Sequence, residues 1–172
     1  MFVNARPMSK VLSTFKYALP TLLCVLCVTF NVMPFSLNPY YRTSIPFVFS
    51  IIFYYAVFHP AVLNVICVFM VGVYADILMS APFGLHTFFY VLIFFIANLN
   101  RRYFLTLNFA DFWLAYTLVL MGVFSFMYLF FMIIAQAVSP FMPIVFQYCV
   151  LVLTYPVMAW LCGWLNIKIG RA

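Results

Sequence analysis

Charge is scarce in this chain. Only 6% of its 172 residues are Asp, Glu, Lys or Arg, and just two of those are acidic, Asp76 and Asp111. Water-soluble domains carry roughly 25% charge with about half of their residues apolar. Here 69% are hydrophobic, which excludes a soluble globular domain and reads as an integral membrane protein. Polar stretches long enough to fold outside a bilayer are also missing, so the length allows one compact bundle and no second domain. The net charge of +6 comes from eight basic residues spread over short loops. Such residues act as topology signals rather than as a nucleic-acid surface.

Catalytic sets are absent as well. There is no G-x-S-x-G, no H-E-x-x-H and no P-loop. The five cysteines (Cys24, Cys27, Cys67, Cys149, Cys162) all fall within apolar runs, and their odd number argues against a disulfide framework. Cys24-x-x-Cys27 has the spacing of a thioredoxin-like pair but lacks the strand–helix setting and any activating charge. These thiols read as small apolar side chains in a helix. His59 and His86 fall at opposite predicted ends of the spans and make a poor metal pair. Internal repeats and low-complexity tracts are lacking. The sequence therefore predicts no enzyme, no cofactor and no metal.

What is present is a series of six apolar runs, at about 17–35, 44–58, 61–79, 83–99, 112–138 and 144–165. They predict an all-α, polytopic membrane protein, a six-transmembrane-helix bundle forming a single domain over residues 1–172. The N-terminal lead carries Arg6, Lys10 and Lys16, but the first run is long, lacks an A-x-A cleavage site and reads as a retained span. Pro20 falls in its first turn, where a missing N–H costs little. Asn38-Pro39-Tyr40-Tyr41-Arg42 forms a short outer loop. The second run is short for a span, which normally needs about 20 residues.

Asn100-Arg101-Arg102 stops the fourth run. Ser139-Pro140-Phe141-Met142-Pro143 separates the fifth from the sixth, and Pro156 is a candidate kink. Six crossings place both termini on one side. Arg6, Lys10, Lys16, Arg101, Arg102, Lys168 and Arg171 share that side and Arg42 stands alone on the other, a seven-to-one split. The positive-inside rule then puts both termini in the cytoplasm. Trp113, Trp160 and Trp164, near cytoplasmic ends, fit an interfacial belt, and the phenylalanines read as lipid-facing or packing groups.

The third run organises the rest. It holds Asp76 inside an apolar stretch, where a carboxylate is expensive and turns toward protein or a polar cavity. Gly72, Asp76 and Ser80 lie four apart, which makes one stripe of small and polar groups on a helix. Small residues let a neighbouring helix approach, and a buried polar group finds its partner there. Ala81-Pro82-Phe83-Gly84 reads as a tight turn. His86 follows about one turn into the fourth run, at the depth of Asp76, so an Asp76–His86 hydrogen bond clasping a helical hairpin is expected. His86, Tyr90 and Ala97 share one side of that run. Proton relay, ligand contact and partner-helix contact are the other roles open to the pair.

Asp111 precedes an apolar run and reads as a helix N-terminal cap. Asn108-Phe-Ala-Asp111 resembles the N-x-A-D motif of lipoprotein signal peptidases, which use two aspartates as an acid/base pair. That match fails, because their first aspartate is followed by arginine and Asp76 is followed by Ile77. Asp76 and Asp111 are also predicted at opposite faces of a ~30 Å core.

Pro60, Gly72, Asp76, Pro82 and Gly84 together resemble the bacterial rod shape-determining MreD family: a proline, about a dozen residues, G-x-x-x-D, then P-x-G. The motif covers about 25 residues, and the rest agrees in length and hydropathy. His86 departs from the family pattern. The resemblance implies a non-enzymatic, multi-pass inner-membrane component of the elongation (rod) complex. It would help position lateral peptidoglycan synthesis and maintain rod shape. The partners it implies are MreC, the MreB filament, RodA and a penicillin-binding transpeptidase. The alternative is a substrate-binding membrane subunit of an energy-coupling-factor vitamin importer, also a six-span bundle. The first span of those subunits often carries A-x-x-x-A, whereas here Ala18 is followed by Leu22.

Overall fold

The computed structural model describes residues 7–32, 46–80, 82–135 and 141–170. Their regular structure is entirely helical: α1 (Pro7–Val32), α2 (Val48–Phe58), α3 (Val65–Leu78), α4 (Leu85–Leu99), α5 (Arg101–Phe104), α6 (Phe109–Ala135) and α7 (Phe141–Gly170). The expected loop at 38–42, the break at Ser139-Pro140, Ala81 of the tight turn and the terminal residues Arg6 and Arg171 lie outside the described residues.

The helices differ from the predicted runs at their ends. α1 begins at Pro7, a residue suited to a first helical position because its missing N–H has no intrahelical role there. Pro20 therefore lies inside α1 and not in its first turn. α6 begins at Phe109, which puts Asp111 within the first turn rather than at the cap. α7 continues through Pro156 as one helix of 30 residues.

α2 is the centre of the bundle. Every residue from Val48 to Val57 is buried. A segment covered on all sides needs no polar face, and its sequence VFSIIFYYAVF is apolar all round. At 11 residues it extends only about 16 Å. Phe53 packs against aromatic rings from three other helices: Phe104 of α5 (5.4 Å), Tyr116 of α6 (5.0 Å) and Tyr155 of α7 (6.2 Å). Phe49 meets Tyr90 of α4 edge-on at 5.1 Å. The Ser50 and Tyr116 hydroxyls are hydrogen-bonded at 2.7 Å, which satisfies both in an apolar setting.

Packing pairs fix the helix directions. Phe89 near the start of α4 meets Phe126 and Phe130 toward the end of α6, so these two helices are antiparallel. Trp113 bonds Val152 and Tyr148 bonds Thr117, which makes α6 and α7 antiparallel. The ends of α2 and α4 lie together, since Arg101 reaches Val57. The outer surface is largely apolar: Leu22, Phe30, Ile66, Met70, Leu118, Leu153 and Trp160 are all exposed. Such a continuous apolar exterior suits acyl chains and not water. Among the described residues, α6 and α7 contain the segments long and apolar enough to cross a bilayer by themselves, Phe109–Phe130 and Met142–Leu165.

Candidate functional site

The turn between α3 and α4 leaves the N-terminus of α4 without a capping side chain, because its cap position is Gly84. The first backbone N–H groups of a helix have no partner within it. Asp76 supplies one from the preceding helix. Its Oδ2 accepts from the Gly84 N–H at 3.0 Å and its Oδ1 from the His86 N–H at 2.8 Å. The Thr87 hydroxyl donates to Oδ2 at 2.8 Å, and the Thr87 N–H reaches the same oxygen at 3.4 Å. The His86 Nδ1 lies 2.9 Å from Oδ1 and, facing a carboxylate oxygen, carries the proton.

These five contacts occupy both carboxylate oxygens. The negative charge also sits at the positive end of the α4 dipole. Burying a charge without partners is prohibitive, whereas this one is paired and capped at once. The Asp76 side chain is fully enclosed, while the His86 side chain keeps 17% of its surface exposed.

Two glycines make the geometry possible. A Cβ on Gly72 would stand 2.4 Å from the Thr87 Cα, so only glycine lets α4 lie this close to α3. Gly84 has φ +93°, a left-handed conformation that residues with a Cβ adopt only under strain. The turn is closed by Leu85 N–H donating to the Pro82 carbonyl at 3.2 Å.

The structure thus brings together Gly72, Asp76, Pro82, Gly84 and His86. Ser80 departs from the expected stripe. α3 ends at Leu78, and Ser80 is an exposed turn residue with φ +51°, so it presents no helical face. Pro60 lies in the α2–α3 connection, at the opposite end of α3 from the clasp. Tyr90 and Ala97 are buried below His86, but the Tyr90 hydroxyl makes no hydrogen bond among the described residues, so no polar seam continues down α4.

Thr87 is the residue that sequence reasoning missed. A threonine in an apolar helical run gives no signal of its own; only the close approach at Gly72, four residues before Asp76, points to its partner position. Asp111 is exposed in the first turn of α6. Phe112, its neighbour, packs on Phe58 at the end of α2, far from the start of α4, so the two aspartates occupy opposite ends of the bundle. They cannot share a water, which removes an aspartic acid/base pair. Among the described residues no group of three or more His, Cys, Asp or Glu side chains could hold a metal, and the five cysteines are free thiols.

The family model for rod shape-determining protein MreD matches residues 12–163, nearly the whole chain. The chain belongs to the MreD family. No curated protein and no solved structure matches it. MreD proteins are rod shape-determining membrane proteins, structural in role rather than known as enzymes. The match spans both helices of the clasp, α3 and α4.

Proposed function

We propose that this chain is a non-enzymatic, multi-pass component of the bacterial inner membrane that serves the elongation (rod) complex. In that role it helps position lateral peptidoglycan synthesis and maintains rod cell shape. MreC, the MreB filament, RodA and a penicillin-binding transpeptidase are its partners in this reading. The observation that carries it is the α3–α4 clasp. Gly72, Asp76, Pro82 and Gly84 of the family-like motif build this turn, and its buried carboxylate accepts on both oxygens. A carboxylate so committed to a helix N-terminus supports a structural role for the hairpin. The family match favours this role over vitamin capture.

In the membrane, α1, α2, α3, α4, α6 and α7 are the six crossings, with both termini cytoplasmic. The alternation of helix directions among α3, α4, α6 and α7 and the seven-to-one split of basic residues in the sequence support that layout. The test is depletion in a rod-shaped host. Loss of the protein turns rods into spheres, and a plasmid copy restores them. Asp76→Ala inserts at normal levels but fails to restore rods. Cells that stay rod-shaped on depletion would overturn the reading, and full rescue by Asp76→Ala would remove the clasp from it.

A further inference from the structure

At the end of the bundle where α2 and α4 finish, the chain is pinned on either side of an outward-facing pair. Arg101 Nε donates to the Val57 carbonyl at 2.7 Å, and Phe104 is buried against Phe53 and Phe112. Between these anchors Arg102 and Tyr103 are exposed, Tyr103 at 63%, and Leu105 follows, also exposed. The Thr106 hydroxyl donates to the Tyr103 carbonyl at 2.7 Å and tightens the segment. α7 approaches the same end. Gly163 lies beside the Tyr54 hydroxyl near the end of α2, and Trp160 and Trp164 on α7 are exposed at 69% and 48%.

An exposed guanidinium amid exposed aromatic and aliphatic side chains fits neither bulk water nor acyl chains. It fits the boundary between them, where amphipathic rings settle at headgroup level. Arg101 is half-buried with its Nε–H on the Val57 carbonyl, so the exposed Arg102 is the guanidinium better placed to face an anion. We propose that this foot is a binding surface for anionic phospholipid headgroups, with Arg102 as the phosphate contact. A guanidinium matches phosphate oxygens in a fork geometry. Tyr103 seats its ring beside the glycerol region, and the pinning by Arg101 and Phe104 pre-orients both. This assignment rests on the membrane reading given above.

The test uses the full-length protein in phosphatidylcholine vesicles doped with brominated phosphatidylcholine or brominated phosphatidylglycerol, read by quenching of tryptophan fluorescence. The native protein prefers phosphatidylglycerol. Arg102→Gln lowers that relative preference about five-fold, the worth of one cation at an anionic surface. Arg42→Gln, in the loop predicted for the other side, leaves it unchanged. Because Arg102 is exposed, the variant folds, and unaltered helical circular dichroism checks this. Equal preference in Arg102→Gln and native protein overturns the proposal, as does an equal loss in Arg42→Gln. Failure of brominated phosphatidylcholine to quench the native protein would instead sink the membrane reading, which keeps the two claims separable.

Discussion

Asp76 does for α4 what a capping side chain normally does for its own helix. Removing its charge leaves donors facing a site that water reaches poorly. Asp76→Asn keeps one oxygen but turns an amide toward the Gly84 and Thr87 donors or toward His86. A loss of about 2–4 kcal/mol follows, since each stranded buried donor costs about 1–3 kcal/mol. Thermal unfolding of the purified protein measures it; an unchanged midpoint would show that the clasp is not a stability element. Gly72→Ala is expected to cost about 1–3 kcal/mol, because the added methyl meets backbone at 2.4 Å and the hairpin must open. Gly122→Ala is the contrast. A Cβ there meets nothing within 4 Å, and alanine gains up to about 1 kcal/mol of helix propensity. Equal losses at the two glycines would contradict the close-approach account. At this scale the sequence was readable where a residue was rare for its setting. An aspartate in an apolar run and a glycine four before it stand out. Thr87 does not, and the backbone donors of α4 carry no side-chain signature at all.

The same device recurs wherever a helix leaves a backbone group open. Pro156 has no N–H to donate to the Val152 carbonyl one turn earlier. That carbonyl instead accepts from the Trp113 indole of α6 at 2.9 Å. At the end of α2 the Val57 carbonyl accepts from Arg101. Each open group is thus satisfied from a different helix, as a low-dielectric surrounding demands. This converts Trp113 from an expected interfacial residue into a half-buried tie between helices, while Trp160 and Trp164 remain exposed. Trp113→Phe should cost about 1–2 kcal/mol by stranding an acceptor. Pro156→Ala restores the missing N–H, so in that background the Trp113→Phe cost should shrink by about 1 kcal/mol. A double-mutant cycle of unfolding free energies reads the coupling, and strict additivity would refute the substitution of indole for backbone. The apolar runs showed where helices exist because hydropathy needs no tertiary information. Their ends were less readable. α1 extends back to Pro7 through a polar lead, and Arg101 looked like a loop cation when its guanidinium reaches back to the core.

For the whole molecule, the alternation of helix directions links the two chemistries to opposite ends. The clasp and Phe83 lie where α3 turns into α4, and the Arg102–Tyr103 foot lies where α4 ends. α4 is 15 residues, about 22 Å long, so its two ends are separated by most of a bilayer core. Phe83 is 87% exposed and Tyr103 is 63% exposed, and each stands at an end of α4, at the headgroup level that a water-borne reagent reaches. Single cysteines placed there, in a variant whose native thiols are replaced, should therefore separate cleanly. Phe83→Cys should react with a membrane-impermeant maleimide in intact spheroplasts. Tyr103→Cys should react only after the membrane is opened. The charge argument sets the sign of this outcome: the foot carries Arg101 and Arg102, the sequence assigns seven of the eight basic residues to their side, and cations are retained on the cytoplasmic side. Labelling of Tyr103→Cys in intact spheroplasts, with Phe83→Cys protected, would invert the molecule. It would place the clasp inside the cell, out of reach of any partner working on the wall.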